Sequence, residues 1–460
     1  MKPLAPPASL LLAFCCSNAL ANGRYPIANQ LVVSPADAAH LTLRTTFGLV
    51  LSEDQGKTFT WVCERAAGFV NGEDPPVEVS GDGSIFVASS QALSTSHDGG
   101  CTWSTADLSI VDTDVDASDP KRAVGIASLY MTGKTSAGLL ETLDNGRTWQ
   151  ALGVSFDGLP ATVALAPSSP GTIYVSGTST TDLTPFVTSS VDDGKTWHSY
   201  PVSVANITVP FLAAIDPTHP EVVYVRAPTA AGTDVLVVSQ DSGVHWQSIF
   251  EAKGGLYGFA LSPDGKQIAV GGPSDVLSVA SSSDYQFKPV STLEPLCLKW
   301  SAAGLYACAD EVSFGFSLGL SLDSGAHFSA LFHKTELELR ACPASEPTGL
   351  YCPQAWVGQQ AVLGIDAGAP DSGIEPSDAS AGGGAPSRDA GPSGAGTNSD
   401  AAAESDASVV PVAGTGSAAQ ASSACSLSAA GTHRDRAGSL WWIAALALGA
   451  ARSRRAWRFA

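Results

Sequence analysis

Six aspartates in this chain stand in near-identical surroundings. Asp54, Asp98, Asp144, Asp192, Asp241 and Asp323 each follow a Ser or Thr by two residues and precede a Gly by two, and in four of them an indole closes the stretch, Trp103, Trp149, Trp197 and Trp246. A carboxylate beside a hydroxyl can do acid–base or nucleophilic chemistry. The same pair also accepts hydrogen bonds from turn amides, with the Gly supplying a left-handed backbone. A second acidic stretch, Asp112-Thr-Asp-Val-Asp116 with Asp119 beyond, alternates its acids as a calcium loop does, yet lacks the turn Gly and the bidentate Glu of such a loop. It reads as a solvated loop between repeat units, and no metal ligand is assigned. His245 and His327 fill the Thr position of their stretches, and no Cys-x-x-Cys pair accompanies them, so they read as turn substitutions. Serine-nucleophile, phosphate-loop and zinc-protease motifs are absent. No catalytic residue and no cofactor is expected.

The spacing of the aspartates shows what must position them. With a damaged seventh copy at Ser282-Ser-Asp-Tyr-Gln-Phe287, the Asp positions are separated by 44, 46, 48, 49, 43 and 39 residues. That is the period of one supersecondary unit. Within each unit a first apolar segment ends in a Pro turn (Val163–Pro167, Ala213–Pro217). A second alternates β-formers (Ile173–Val175, Val222–Val225), a third runs into the Asp stretch (Val187–Ser190, Val235–Ser239) and a fourth leaves it (Trp246–Phe250). Short β-rich runs bounded by Gly, Pro, Asp and Ser are strands. Four strands in about 45 residues make a propeller blade. The reading is all-β: a single β-propeller of four antiparallel strands per blade over residues 22–364, seven-bladed by the number of copies, with six or eight blades as alternatives. No long amphipathic helix is expected. Residues 338–364 form either a small cap or part of the blade that joins the ends of the ring.

The motif Ser-x-Asp-x-Gly-x-Thr-Trp, clearest at Ser190–Trp197, resembles the Asp-box (BNR-type) repeat of sialidases, sortilin-like receptors, some glucanases and many non-catalytic propellers. The resemblance implies that each box is a fold-stabilising turn between the third and fourth strands of a blade. Sialidase chemistry would need three converging arginines, a Tyr–Glu pair and an Asp acid. The family announces its first Arg as Phe/Tyr-Arg-Ile-Pro, whereas this chain has Arg24-Tyr-Pro-Ile27 before the first blade, and Arg147 lies in a box. Related xyloglucanases use a cleft between two propellers, and this chain has room for one.

The flanks of the repeat differ in character. Residues 1–21 read as a secretory signal peptide: Lys2, the apolar run Leu10–Cys16, and Ala19-Leu-Ala21 as the cleavage site. Lipidation at Cys15 or Cys16 is disfavoured by the bulk of Phe14. Residues 365–424 are Ala, Gly, Ser, Pro and Asp with almost no large apolar side chain, a disordered stalk. Residues 425–460 carry Cys425, an apolar run at 438–451 and an Arg-rich end (Arg452, Arg454, Arg455, Arg458). Fourteen helical residues reach only about 21 Å, short of a bilayer core. Cys, apolar run and Arg cluster resemble the MYXO-CTERM sorting signal, which implies processing near Cys425 and surface retention; a plain C-terminal membrane anchor is the alternative.

Of nine cysteines, six lie in the propeller region, and export favours disulfides. Spacing suggests Cys297 with Cys308, Cys342 with Cys352, and Cys63 with Cys101. A formal net charge of −20 argues against nucleic acid. The function expected is an exported cell-surface module, its propeller monomeric, that binds a protein or glycan or serves structurally, touching membrane only through its C-terminal segment. A glycoside hydrolase and an envelope assembly factor are the competing readings.

Overall fold

The computed structural model describes residues 24–365 apart from 70, 71, 107, 132, 133 and 157. The signal peptide with Ala21, the stalk and the sorting segment with Cys425 lie outside the described residues. Within them the chain forms seven four-stranded antiparallel sheets, each from one contiguous stretch: residues 28–63, 77–106, 110–155, 159–201, 211–251, 258–289 and 297–332. We number these blades 1 to 7. In every blade the strands lie side by side in chain order. The first strands of successive blades pack against one another all the way round, that of blade 7 (Cys297–Ser301) against that of blade 1 (Ala28–Val33), so the ring is closed.

The burial of each strand follows from its place in its blade. Third strands such as Gly48–Ser52, Leu93–Ser96 and Asp234–Ser239 are buried along their whole length, because a neighbouring blade covers each face. Such strands lose the polar alternation of a half-wetted sheet. Fourth strands at the rim, such as His198–Pro201 and Gln247–Glu251, are largely exposed. The core is therefore split into layers, each shared by adjacent blades; one joins Tyr174 and Val187 of blade 4 to Val223, Val225 and Val237 of blade 5. At the centre of the second strands sit Phe86, Tyr174, Tyr224 and Tyr306, all essentially fully buried. The hydroxyl of Tyr174 donates to the Pro220 carbonyl of the next blade at 2.8 Å, which satisfies its one polar atom.

The four core strands of every blade come from one stretch, but the sheet of blade 1 gains a fifth strand from the other end of the described chain, as one reading of residues 338–364 expected. Closure comes from a strap that follows blade 7. Glu338–Leu339 pairs in parallel with the outermost strand of blade 1, Glu338 opposite Thr60 and Leu339 opposite Trp61. A helix, Pro347–Leu363, then lies over blade 1. Trp356 packs on Trp61 with centroids 5.4 Å apart, Arg65 stacks on Tyr351 at 3.9 Å, and Thr348 donates to the Gly100 carbonyl of blade 2 at 2.6 Å. This 17-residue helix is long but has no apolar face along one side, so it is not the long amphipathic helix whose absence was expected, and it went unread in the sequence. Pro353, Gly349 and Gly358 interrupt its pattern, so neither propensity nor a clean apolar stripe announces it.

The disulfides follow the strap and correct two expected pairings. Cys63 is bonded to Cys352 and Cys101 to Cys342, rather than Cys63 to Cys101 and Cys342 to Cys352. The strap carries Cys342 and Cys352 to blades 2 and 1, where each meets a cysteine some 240 to 290 residues distant in sequence. Cys297 and Cys308, directly opposite each other in the first hairpin of blade 7, are joined.

Candidate functional site

The six intact boxes share one geometry. The Ser or Thr hydroxyl donates to Asp Oδ1 at 2.8–2.9 Å and accepts from the Gly amide at 2.8–2.9 Å. Oδ1 also accepts from the amide four residues on, at 2.8–3.0 Å. Oδ2 takes the Thr hydroxyl of that residue, or Nδ1 of His245 and His327, at 2.6–2.8 Å. The amide and then the hydroxyl of Thr58 hold Asp54 down to about 2, and those of Thr196 do the same for Asp192. The box carboxylates are thus ionised and occupied, one in each blade except blade 6, and are nowhere brought together. Gly146 shows why Gly is needed: at φ +78° its Cβ would stand 2.5 Å from Cε1 of the buried Phe86.

The box tryptophans act locally. Trp103 and Trp197 return their indole N–H to the carbonyls of Gly100 and Gly194 at 3.0 and 2.9 Å. Trp149 meets Phe86 edge-on at 6.5 Å, and Trp246 packs on the layer around Val187. In the damaged copy the register is one residue earlier than the sequence suggests. Ser281 ends the third strand and bonds to Ser283 at 2.8 Å, so Ser283 stands in the Asp position and Tyr285 takes the left-handed backbone.

The acidic stretch at 112–119 is not a solvated loop. Asp112 and Asp114 belong to the first strand of blade 3, Ile110–Val115, on the ring of strands around the axis. Their carboxylates accept from the amides of Val163 and Leu165 on the first strand of blade 4, at 2.8 and 2.6 Å. An innermost strand has one unpaired edge, and side chains bond it to the next blade. Gln30 does this for Val77, and Thr162 for Leu212. Burial pushes Asp112 up to about 8 and Asp114 up to about 6. Burial, then the charge of Asp114, also raises Glu78 on blade 2, against the opposing pull of Lys299 on blade 7. Asp116 turns away, caps the amides of Ser118 and Asp119, and pairs with Arg122 at 3.2 Å. Glu78, Asp112 and Asp114 thus feel one another's charge at the axis, but among the described residues no group of three or more His, Cys, Asp or Glu is placed to hold a metal.

The arginines sit in separate networks as well. Arg44 is tied to Asn29 and the Asp74 carbonyl, Arg122 to Asp116, Glu141 and Asp193, Arg226 to Asp234 and the Leu256 carbonyl, and Arg340 to Glu53 and Thr60. Arg147 bonds within its own box turn, to the Asp144 carbonyl.

A concave site lies between blades 3 and 4, which sequence reasoning missed. The second hairpin of blade 3 pairs nine residues on each side, Ala123–Met131 with Lys134–Thr142. At its foot Phe156 donates its amide to the Ala137 carbonyl at 3.3 Å and packs edge-on to Trp197, centroids 6.0 Å apart. Phe156, Trp197, Phe186 and Tyr200 line a groove of about 360 Å3, with Asp182, Ser179 and Thr184 at its lip. The ring of Phe186 lies in a cradle made by two glycines. A Cβ on Gly177 would come within 2.7 Å of that ring, and one on Gly158 within 2.8 Å.

The repeat itself carried a signal for this site. Four residues before the box hydroxyl, blade 4 has Phe186 where the other intact copies have Gly48, Ala92, Gly138, Val235 and Ser317. Three residues after the box aromatic it has Tyr200 where they have Val62, Ala106, Leu152, Ile249 and Leu331. These two aromatics stand outside the repeating pattern. The lip is also irregular. Among the described residues, Leu183 and Asn206 are the non-Gly residues with left-handed backbone outside box turns, and Leu183 is 74% exposed.

No family model and no curated protein matches the chain. Solved structures align at low identity. An ancestral GH74 enzyme aligns at 13% identity and TM-score 0.48, over 66% of this chain and 46% of that one. A Hadza microbial sialidase aligns at 13% identity and TM-score 0.36, over 59% and 71%. The Cps50 (Swd1) β-propeller domain of Myceliophteria thermophila aligns at 8% identity and TM-score 0.43, over 62% and 94%. The chain thus spans less than half the length of the GH74 enzyme, and its neighbours include glycoside hydrolases and the Cps50 propeller domain. The protein is a seven-bladed β-propeller.

Proposed function

We infer that this propeller is an exported binding module, displayed at the cell surface by its C-terminal segment, that engages a protein or glycan partner through the rim of blades 3 and 4. One observation carries the reading. The box carboxylates, the axial Asp112 and Asp114 and four of the propeller arginines are bound to the fold's own amides, hydroxyls, carbonyls and acids, whereas blade 4 departs from the repeat at Phe186 and Tyr200, which with the core-packed Phe156 and Trp197 line a groove. A rigid scaffold with one irregular, concave rim suits recognition.

The test is an array of purified envelope proteins and polysaccharides probed with the full-length protein and with a Phe156→Ala/Tyr200→Ala variant. A ligand retained by the parent and weakened at least tenfold in the variant is the expected result. An array with no ligand, or one bound equally by both, counts against the reading. Turnover of a chromogenic glycoside, abolished by substituting one axial carboxylate, would replace it with the hydrolase reading.

A further inference from the structure

We propose that the groove between blades 3 and 4 takes the cationic side chain of a partner protein, a lysine ammonium or an arginine guanidinium, seated against its aromatic rings and met by Asp182. This rests on the binding-module reading and narrows it to a partner class. The faces of Phe, Tyr and Trp carry partial negative charge and attract a cation near the ring centroid. Four such rings, Phe156, Phe186, Trp197 and Tyr200, line this one concavity, and no Lys or Arg shares it. Phe186 is held by the Gly158 and Gly177 cradle, and Trp197 is anchored by its bond to Gly194, so two of the rings are fixed before any ligand arrives.

The lip supplies the counter-charge. Asp182 sits on the Ser179–Thr184 turn, where the Thr184 amide donates to its Oδ1 at 3.1 Å and the Ser179 hydroxyl holds its carboxyl below the usual range. It is exposed and ionised, and is not consumed by an arginine as Asp116 is. The long-range field has the same sign, since the chain carries a formal charge of −20, which attracts basic partners and repels acidic ones. An anionic ligand would meet a carboxylate and the negative faces of the rings. A neutral sugar could stack on the rings but would make no use of the charge. The volume, about 360 Å3, holds one long side chain with its flanking backbone.

The experiment titrates the full-length protein with acetyl-Gly-Arg-Gly-amide and acetyl-Gly-Lys-Gly-amide, following tryptophan fluorescence at low and high salt. Acetyl-Gly-Gln-Gly-amide, choline and a neutral tetrasaccharide serve as comparators. The proposal expects saturable binding of the basic peptides, weakened about tenfold in Tyr200→Ala and several-fold in Asp182→Asn, with affinity falling as salt rises. Circular dichroism confirms that both variants fold, and Tyr200→Phe, which keeps the ring, should retain binding. Equal binding of the Gln peptide, or basic-peptide binding unchanged in Tyr200→Ala, overturns it. Binding of choline or the tetrasaccharide without the basic peptides also overturns it but leaves the binding-module reading standing. A groove that takes none of the probes, together with an empty array, removes both.

Discussion

Replacing Cys63 and Cys352 together by Ser lowers the thermal midpoint by roughly 5–8 °C, the largest single loss that the fold predicts. With the nested Cys101–Cys342 bond intact, Cys63–Cys352 closes the path made of 38 residues (63 to 101) and 10 residues (342 to 352), and removing that loop entropy from the unfolded chain is worth about 4 kcal/mol. For a described fold of this size each kcal/mol moves the midpoint by roughly 1–2 °C. The native state loses as well. Cys63 and Cys352 are both buried, and the strap they fix holds the end of the ring on its beginning. The hairpin bond Cys297–Cys308 closes a span of 11 residues between strands already paired, and by the same relation it is worth only about 3 kcal/mol. Scanning calorimetry of the two double variants compares them directly. An equal or larger drop on removing the hairpin bond would contradict the strap as the closure device.

The second large effect is an acid-side optimum of stability. Asp112 is raised to about 8 and Asp114 to about 6, so between about pH 4 and pH 8 the folded state keeps protons that the unfolded chain has released. Stability therefore falls as pH rises through that window. Glu78 adds in the same direction, while Lys299, facing it and Asp114 across the axis, works against the trend. The box aspartates act in the opposite sense. Asp54 and Asp192, lowered to about 2, contribute stability above the ordinary carboxylate range and lose it as pH falls from about 4 to about 2. The midpoint should peak near pH 4–5. Asp112→Asn keeps an oxygen to accept from the Val163 amide and removes the titration, so it should leave stability at pH 5 nearly unchanged and raise it at pH 8. A variant destabilised equally at both values would show that Asp112 is ionised in the fold.

The fold was legible because its repeat needs the same residues each time. Ser, Asp and Gly at fixed offsets build one turn, and the alternation around them marks the strands. The strap was legible only as a choice between a cap and a strand joining the ring's ends; its helix, broken by Pro and Gly, and its disulfides, whose partners lie in distant blades, were not. The acids at 112 and 114 alternate like a surface loop because the inner strand that carries them faces an axis rather than a packed layer. Phe186 and Tyr200 were in view from the start, but as departures from a pattern rather than as a motif. Comparing blade with blade, not chain with family, is what exposes them.

The most direct test of the account places a photo-reactive amino acid at Thr184, on the lip of the groove, and at Lys57, in the first box turn, in the full-length protein on intact cells. The prediction is a discrete crosslinked species from position 184 that is absent from position 57. No adduct at 184, or the same adducts from both positions, would contradict it.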